Sequence, residues 1–315
     1  MYFPYLRGKK FEFLAVRELA QKGLLYKNNS VNVIPIFEPV NDNFNYFDEL
    51  ITSNIIFGII VNPEVGDTKI SLIQNYISHN AVYSSNFFIC ILVDSNNQQE
   101  VLNYKNIYQN FNKIYIHKKY NPIFAMNLSI FNDGAYNFVA TLIGDRYNSL
   151  NNKVIFEDSF NKADKNENYP FESYFNNYYL FYKSKGYLGI SDFLTIGEEY
   201  SKTGGQPYAV AIHLSVIQHN NIYIKHFVSD LKGYAGDVNI KFFEALNKLI
   251  NFVNINNITH IEGIKEFLYW ANTNHFPNLG PVKKASMKHH IELLNNLIWQ
   301  YNNKLAIIKI KREWC

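Results

Sequence analysis

The chain has 315 residues, of which 47% are hydrophobic and 18% are charged, so its composition is that of a folded protein rather than a disordered one. Its formal net charge of +3 is too small to indicate a nucleic-acid-binding surface by itself. Two cysteines cannot build a disulfide framework or a zinc knuckle, and no apolar run is long enough for a signal peptide or a membrane span. The sequence therefore predicts a cytoplasmic protein without a membrane-spanning segment.

The N-terminal part of the chain alternates apolar runs with amphipathic helical patterns. An aromatic, turn-like lead-in at residues 2–8 precedes a helix predicted over residues 9–23, with Gly23 as its C-cap. Two apolar runs that predict strands then end at Glu38 and Asn62, and a helical pattern follows each of them. Such an alternation is typical of βα units.

The same alternation continues through the middle of the chain. Further strands are predicted to end at Asp94, at His117 and at the Glu157-Asp158 pair. The segment NFVATLIGD at residues 137–145 fits a strand or a helix equally well. Periodicity alone leaves the choice open, and the segment is counted below as a strand.

The last third begins with the aromatic segment PFESYFNNYYLFYKSKG at residues 170–186, which predicts a helix. Strands are predicted to end at Asp192 and His213, and the Gly204-Gly205 loop between them is either a turn or a lid. A further apolar run, IYIKHFVSD, predicts an antiparallel hairpin with the strand that contains His213. Helical patterns fill the rest of the chain.

These elements favour a (β/α)8 TIM-barrel-like fold with a hairpin extension and a helical C-terminal segment. The strands are near-continuous apolar runs, as in parallel sheets buried on both faces, and counting the ambiguous one gives eight βα units. A doubly wound sheet is the rival, but no glycine-rich nucleotide-binding motif follows an early strand. The predicted organisation is one domain, with a lead-in and helix at 1–30, barrel units at 31–217, and the hairpin strand and helices at 218–315.

Active sites of such barrels lie at the C-terminal strand ends, where carboxylates and imidazoles can bind a divalent metal or act as acid and base. The predicted catalytic residues are Glu38, Asp158, Asp192 and His213. The carboxylates Glu38, Asp158 and Asp192 are also the predicted metal ligands. Residues predicted to bind an anionic group are Arg7, Lys284 and His290. Further candidates are Glu157, His226, Asp94 and His117.

Several chemistries lack their sequence motifs. The chain has no His-x-His at its first strand, no H-E-x-x-H and no G-x-S-x-G, which disfavours amidohydrolases, zincins and hydrolases with a serine elbow. No predicted strand ends in lysine, which disfavours a Schiff-base aldolase. His289 and His290 are adjacent and point to different faces of a helix, so one of them is predicted to lie at the surface.

Blocks along most of the chain resemble a family of uncharacterised bacterial proteins known as "beta family" proteins. These blocks are YFPYLRGKKFEFLAVRELA, IPIFEPV, IFEDSF, NENYPFES, GISDFLTIGEEYS, GGQPYAVAIHLS, HFVSD and LGPVKKASMKHHIELL. The resemblance implies a TIM-barrel-like fold, an association with mobile-element or phage-defence loci, and a protein partner, but no reaction. Positions in the matching blocks are Tyr5, Arg7, Glu12, Glu38, Glu157, Asp158, Asp192, Phe193, His213, His226, Asp230, Lys284, Ser286, His289 and His290.

Two functions are compatible with these features. The first is a barrel hydrolase that acts on a phosphodiester or nucleotide-like substrate, with a divalent metal, as a component of anti-phage defence. The alternative is a non-catalytic barrel scaffold that binds a partner protein or a ligand through its many aromatic side chains, which make up 17% of the residues. The sequence leaves the choice between them open.

Overall fold

The computed structural model describes residues 1–93, 98–202 and 207–313. Asp94 and the Gly204-Gly205 loop lie outside the described residues. The chain divides into two compact units. The barrel unit comprises Met1–Phe13, Leu25–Glu157 and Tyr178–Asp192, and the sheet–helix unit comprises Leu14–Leu24, Asp158–Asn177 and Phe193–Cys315.

The strands in chain order are β1 (Tyr2–Leu6), β2 (Tyr26–Lys27), β3 (Ser30–Val31), β4 (Ile36–Phe37), β5 (Phe57–Ile60), β6 (Phe87–Leu92), β7 (Lys113–His117), β8 (Gly134–Ala140), β9 (Lys153–Glu157), β10 (Glu172–Asn176), β11 (Gly189–Asp192), β12 (Ala211–Gln218) and β13 (Asn221–Val228). The α-helices are α1 (Lys10–Gln21), α2 (Asn45–Thr52), α3 (Ile70–His79), α4 (Gln98–Ile107), α5 (Pro122–Ala125), α6 (Val238–Ile255), α7 (Glu262–Thr273) and α8 (Leu279–Glu313). No helix in the described ranges is both long and apolar enough to cross a membrane.

Eight parallel strands form a closed barrel in the order β1-β11-β9-β8-β7-β6-β5-β4, with β4 pairing β1 to complete the ring. The prediction of a TIM-barrel-like fold is confirmed. The prediction of the closing strand is wrong: the lead-in at residues 2–8 contains strand β1, which pairs with β11 and β4. Pro4 and Gly8 gave this segment the appearance of a turn, although all five residues of β1 are buried.

Strand β12, which contains His213, lies outside the barrel. It pairs antiparallel with β13, and β13 pairs antiparallel with β10, in a separate three-stranded sheet of order β10-β13-β12. The predicted hairpin is therefore confirmed, but the prediction that His213 ends a parallel barrel strand is wrong. An apolar run shows that a strand is buried and does not show which sheet it joins.

The barrel interior is filled by aromatic rings. The Phe3 ring of β1 contacts the rings of Tyr136 and Phe138 in β8, with centroids 4.8 and 5.1 Å apart. Since β11 and β9 separate these strands in the barrel, the rings meet inside it. Tyr5 faces the same way and contacts Phe156 of β9 at 5.6 Å. The interior is thus a packed core rather than a pore, as is usual for this fold.

Local signals determine the first βα unit. Gly8 adopts a φ of +62° between β1 and α1, a conformation that favours glycine, and a Cβ there would lie 3.0 Å from the Glu38 carbonyl oxygen. The backbone N–H of Lys9 donates to the Glu12 carboxylate at 3.2 Å, which is half of a capping box at the start of α1. Gly23, just past the end of the helix, has a φ of +70° and serves as the predicted cap.

In the sheet–helix unit, one face of the three-stranded sheet is apolar. Leu214 of β12 and Phe227 of β13 pack with Phe242 and Leu246 of α6 and with Phe267 of α7 in one buried cluster. Because side chains alternate along a strand, the neighbouring residues of β12 and β13 project from the opposite face. That opposite face carries the polar groups described below.

The helix predicted over residues 170–186 is not formed. Residues of this segment make β10 and, after it, a short 3-10 turn at Tyr178–Leu180. Its aromatics match a helical period, but Phe171 and Tyr174 are 59% and 47% exposed, so no helical face is buried. Pairing with β13 selected the extended conformation instead.

Candidate functional site

The mouth of the barrel holds a closed cluster around Glu38, which directly follows β4. The Glu38 carboxylate accepts hydrogen bonds from the Tyr5 hydroxyl at 2.8 Å and from the backbone N–H of Glu64 at 2.7 Å. It also forms an ion pair with the Arg7 guanidinium. Glu38 and Tyr5 are fully buried, and Arg7 is 4% exposed. Burial and the neighbouring Glu38 raise the pKa of the Tyr5 hydroxyl well above its ordinary value, so Tyr5 stays a donor.

This cluster does not fit the predicted metal or anion roles. Three protein donors already occupy the Glu38 carboxylate, and the charge of Arg7 is compensated by it. Among the residues that the structure describes, no group of three or more His, Cys, Asp or Glu side chains is arranged to hold a metal ion. The residues predicted as metal ligands therefore do not form a metal site here.

Asp192 and Glu157 end two neighbouring barrel strands and lie opposite each other in the register of β11 and β9. The Asp192 carboxylate accepts a hydrogen bond from the Tyr2 hydroxyl at 2.7 Å. Tyr2 is on the outer face of β1, because Phe3, the next residue, points into the barrel. Asp192 consequently projects from the outer face of the barrel sheet. The structure does not bring it to the Glu38 cluster at the inner face.

His117 is a buried residue of the barrel wall. Its Nε2 lies 3.3 Å from the Asn137 side-chain oxygen, and its ring contacts Phe131 and Tyr147 with centroids 4.8 and 5.1 Å apart. Burial lowers its pKa to about 4, so the imidazole is neutral at pH 7. These contacts describe a core histidine. Asp94, the other candidate outside the resembling blocks, lies outside the described residues.

Asp158 holds a turn in the sheet–helix unit. Its Oδ1 accepts from the backbone N–H of Phe160 at 3.1 Å, and its Oδ2 accepts from the backbone N–H of Glu198 at 2.8 Å. Gly197, next to Glu198, has a φ of +75°. The carboxylate therefore organises two backbone segments.

Lys284 lies in a network of two lysines and two glutamates on α1, α7 and α8. Its Nζ is 2.6 and 2.8 Å from the Glu18 carboxylate oxygens and 3.6 Å from Glu266. Lys288 bridges the same two carboxylates, at 2.8 Å from Glu18 and 2.5 Å from Glu266. The two glutamates thus compensate the positive charges of both lysines. These ion pairs fit a structural role for Lys284 and do not support the predicted binding of an anion.

His289 and His290 of α8 both contact Ser215 of β12 and are both buried, at 2% and 0% exposure. The His289 Nε2–H donates to the Ser215 carbonyl oxygen at 2.7 Å. The His290 Nδ1 is 2.6 Å from the Ser215 hydroxyl, and its ring meets the edge of Phe175 at 5.0 Å. The prediction that one of the two lies at the surface is wrong, because the helix packs on the sheet through both.

Three polar side chains on the sheet form a continuous hydrogen-bonded chain. His213 and His226 are direct partners across β12 and β13, and their Nδ1 atoms are 2.8 Å apart. The other ring nitrogen of His226, Nε2, is 2.9 Å from the Ser173 hydroxyl of β10. Ser173 is half-buried and His226 is 2% exposed. We call Ser173, His226 and His213 the serine–histidine chain.

Aromatic rings hold both imidazoles in place. Tyr169 stacks on His226 with centroids 4.7 Å apart and an interplanar angle of 16°. Phe160 and Tyr169 meet the His213 ring edge-on at 5.1 and 4.6 Å. Burial lowers the pKa of His226 to about 4, and burial together with His226 lowers that of His213 well below its ordinary value. Both rings are therefore neutral at pH 7.

Neutral rings allow two arrangements of the protons in the chain, and one of them suits nucleophilic catalysis. One of the two facing Nδ1 atoms must donate and the other must accept. When His226 donates from Nδ1 to His213, its Nε2 carries a lone pair that accepts from the Ser173 hydroxyl. This is the arrangement of a nucleophile, a base and a group that orients the base.

A cleft of about 500 Å³ is lined by His226. The remaining walls come from one segment before β10, the end of β13 and the last turns of α6. Their side chains include Tyr169, Phe171 and Phe252. A pocket of this volume is in the range of small-molecule sites.

The sequence did not predict Ser173 as a site residue, because its segment matched a helical pattern. No alternation of apolar and polar residues marks this segment as a strand, because the polar pair Glu172-Ser173 separates the aromatics Phe171 and Tyr174. His213 and His226 were both candidates, although their pairing depends on the hairpin register, which no local pattern specifies.

The comparisons with known proteins supply no name for this arrangement. No family model matches the chain, and no curated protein matches it. The chemistry of the site therefore has to be argued from its own groups.

Proposed function

We propose that this protein is a hydrolase that cleaves an ester through Ser173, with His226 as the base and His213 as the group that orients His226. The observation that carries the proposal is the unbroken chain of contacts, 2.9 Å from Ser173 to His226 and 2.8 Å from His226 to His213. These distances lie in the range required of a nucleophile and its base.

The reaction follows from the proton positions. The Ser173 Oγ attacks the carbonyl carbon of the ester, and its proton moves to His226 Nε2. The tetrahedral intermediate collapses as the bond to the leaving oxygen breaks, and that oxygen takes the proton from Nε2. Water then attacks the acyl-serine, gives one proton to Nε2, and releases the acid while Ser173 regains its proton. The sum is ester and water to acid and alcohol.

A carboxylic ester has better support than the phosphodiester or nucleotide-like substrate predicted from the sequence. That prediction used Arg7, Lys284 and His290 as anion ligands. These groups are engaged by Glu38, by Glu18 and by Ser215 respectively. Membership of the "beta family", a role in phage defence, a protein partner and a cytoplasmic location remain predictions.

The test uses the purified 315-residue chain with p-nitrophenyl esters and with bis(p-nitrophenyl) phosphate. We expect hydrolysis of the esters, and a loss of at least roughly 10³-fold in kcat for Ser173→Ala and His226→Gln. Ser215→Ala is the matched control, because Ser215 also contacts a histidine but is 1% exposed. It should retain the wild-type kcat.

A second readout does not depend on the choice of ester. A fluorescent fluorophosphonate, which labels activated serines, should modify Ser173 in the wild type and not in His226→Gln, as located by peptide mass spectrometry. Cleavage of the phosphodiester alone would overturn the ester proposal in favour of the sequence prediction. Absence of both turnover and labelling would overturn it in favour of a non-catalytic scaffold.

A further inference from the structure

The cleft beside the serine–histidine chain has exposed apolar side chains in its walls. Phe171 and Ile255, which both line it, are 59% and 80% exposed. Exposed apolar side chains gathered in one concave surface are typical of ligand or partner sites. His226 is also among the lining residues, so the cleft adjoins the serine–histidine chain at the proposed base.

The aromatic wall is preformed. The rings of Phe171, Phe227 and Phe252 contact one another in pairs, with centroids 5.5 to 6.2 Å apart. The Lys225 ammonium lies over the rings of Phe171 and Phe252, at 4.9 and 5.4 Å from their centroids. Its ion pair with Glu172 compensates its charge. Cation–π contacts and ring packing hold this wall in position without a ligand.

The cleft carries no uncompensated charge that would select an anion. Lys248 lines it, but its Nζ is 2.6 Å from the Asp230 carboxylate and 2.8 Å from the Val228 carbonyl oxygen. The other polar lining groups include the neutral side chains of Asn251 and Asn256. A nucleotide phosphate would lose its hydration here without gaining a free cation. An apolar group has no such strong hydration to lose, and its transfer from water into the cleft is favourable.

We infer that this cleft binds the apolar acyl chain of the ester substrate, so that the enzyme prefers esters of medium-chain fatty acids to acetate esters. This inference rests on the proposed function. Three properties of the cleft suit an extended acyl chain: its volume is about 500 Å³, its walls are largely aromatic and aliphatic, and His226 lies among them. Each added methylene then contributes binding through the area it buries.

The experiment is a chain-length series of p-nitrophenyl esters from acetate to octanoate. We expect kcat/KM to rise by roughly threefold for each methylene group, up to a plateau when the cleft is filled. Ile255→Asp should remove most of this rise, because it places a charge in the apolar wall. Leu142→Asp is the matched control, because Leu142 is 94% exposed and does not line the cleft. Its chain-length dependence should equal that of the wild type.

Binding without turnover separates this inference from the proposed function. Ser173→Ala, which alters no residue of the cleft walls, should bind N-methyloctanamide in calorimetry, and adding Ile255→Asp should weaken this at least tenfold. Binding of this kind without wild-type ester hydrolysis would overturn the proposed function and leave the apolar ligand site standing. Hydrolysis at equal rates for acetate and octanoate, unaffected by Ile255→Asp, would overturn the cleft inference and leave the proposed function standing.

Discussion

The Glu38 cluster of the barrel and the serine–histidine chain of the three-stranded sheet are both polar groups carried on buried strands, but they differ in charge and in hydrogen-bonding capacity. The Glu38 carboxylate is ionically paired with Arg7 and accepts two further hydrogen bonds. The serine–histidine chain consists of neutral rings and ends at a half-buried hydroxyl. A saturated charged cluster stabilises a structure, whereas a neutral chain whose middle residue borders an open cleft has the contacts needed to transfer a proton.

The comparison shows why position at a strand end is a weak indicator of function. Glu38 lies at the C-terminal end of a barrel strand, where an active site is expected in this fold. Neighbouring protein groups already occupy its carboxylate oxygens. Ser173, the proposed nucleophile, lies on the edge strand of a small sheet, and its hydroxyl is 2.9 Å from His226 Nε2. The hydrogen bonds that a polar group makes therefore separate structural groups from candidate functional groups better than its position at a strand end does.

The largest effect is expected from breaking the charged cluster. Glu38→Gln leaves the buried Arg7 without its compensating charge and should lower the free energy of unfolding by about 3–5 kcal/mol, measured by urea denaturation. Glu199→Gln is the control. Glu199 forms an ion pair with Lys162 over an N–O distance of 2.9 Å, but the Glu199 side chain is 76% exposed. That change should cost at most about 0.5 kcal/mol. A loss below about 1 kcal/mol for Glu38→Gln would contradict a structural role of the cluster.

The second effect concerns pH and the buried neutral histidines. The folded pKa of His117 is about 4, below the unfolded value of 6.5, so the unfolded state binds more protons between these pH values. Stability present at pH 7 is therefore lost as pH falls from 6.5 towards 4, by roughly 3 kcal/mol for this fully buried residue. His226 and His289, whose pKa values are also lowered to about 4, act in the same direction.

Denaturation at a series of pH values measures this loss. His117→Phe should make the pH dependence shallower between pH 6.5 and 4, since it removes one of the titrating rings. His260→Gln alters an exposed histidine and serves as the control variant. Equal pH dependence in the wild type and His117→Phe would contradict the assignment.

The third effect separates the base from the residue that orients it. His213→Ala should lower kcat about 10- to 100-fold with little change in KM, because His213 contacts His226 and not the substrate. His213→Asn offers a side-chain oxygen to His226 Nδ1 and should restore part of the loss. The wild-type kcat should remain full down to about pH 5, since the pKa of His226 is about 4. A purely structural role would give no rescue by asparagine.

The smallest effect returns to the barrel unit and has the opposite sign. Burial raises the pKa of Glu12 to about 7, above its unfolded value of 4.5, so the folded state binds more protons and its stability falls as pH rises between these values. Glu12→Gln keeps an oxygen for the Lys9 N–H and should stabilise the protein by about 1–2 kcal/mol at pH 8. At pH 4 the gain should vanish. A constant gain at both pH values would contradict titration of Glu12.

Much of the fold could be predicted from the sequence, because the local spacing of apolar residues indicates helices and buried strands. The alternation of apolar runs with helical patterns predicted the βα units, the barrel and the C-terminal helices. The hairpin that carries His213 and His226 was also predicted from its two apolar runs and the turn between them. The site was only partly predictable, since Glu38, Asp158 and Asp192 were identified as strand-end residues without any signal of the direction in which they point.

What the sequence determined by itself is most of the elements: seven of the eight barrel strands, a histidine-bearing hairpin, and three helices after it. Only the tertiary structure decided that β1 rather than β12 closes the barrel, that residues 172–176 form a strand, and that His213 faces His226 and Ser173. The physical reason is that burial and periodicity are properties of a short segment, whereas a strand's partner and register depend on segments far away in the chain. A serine on a segment predicted to be helical acquired its histidine neighbour through such a long-range pairing.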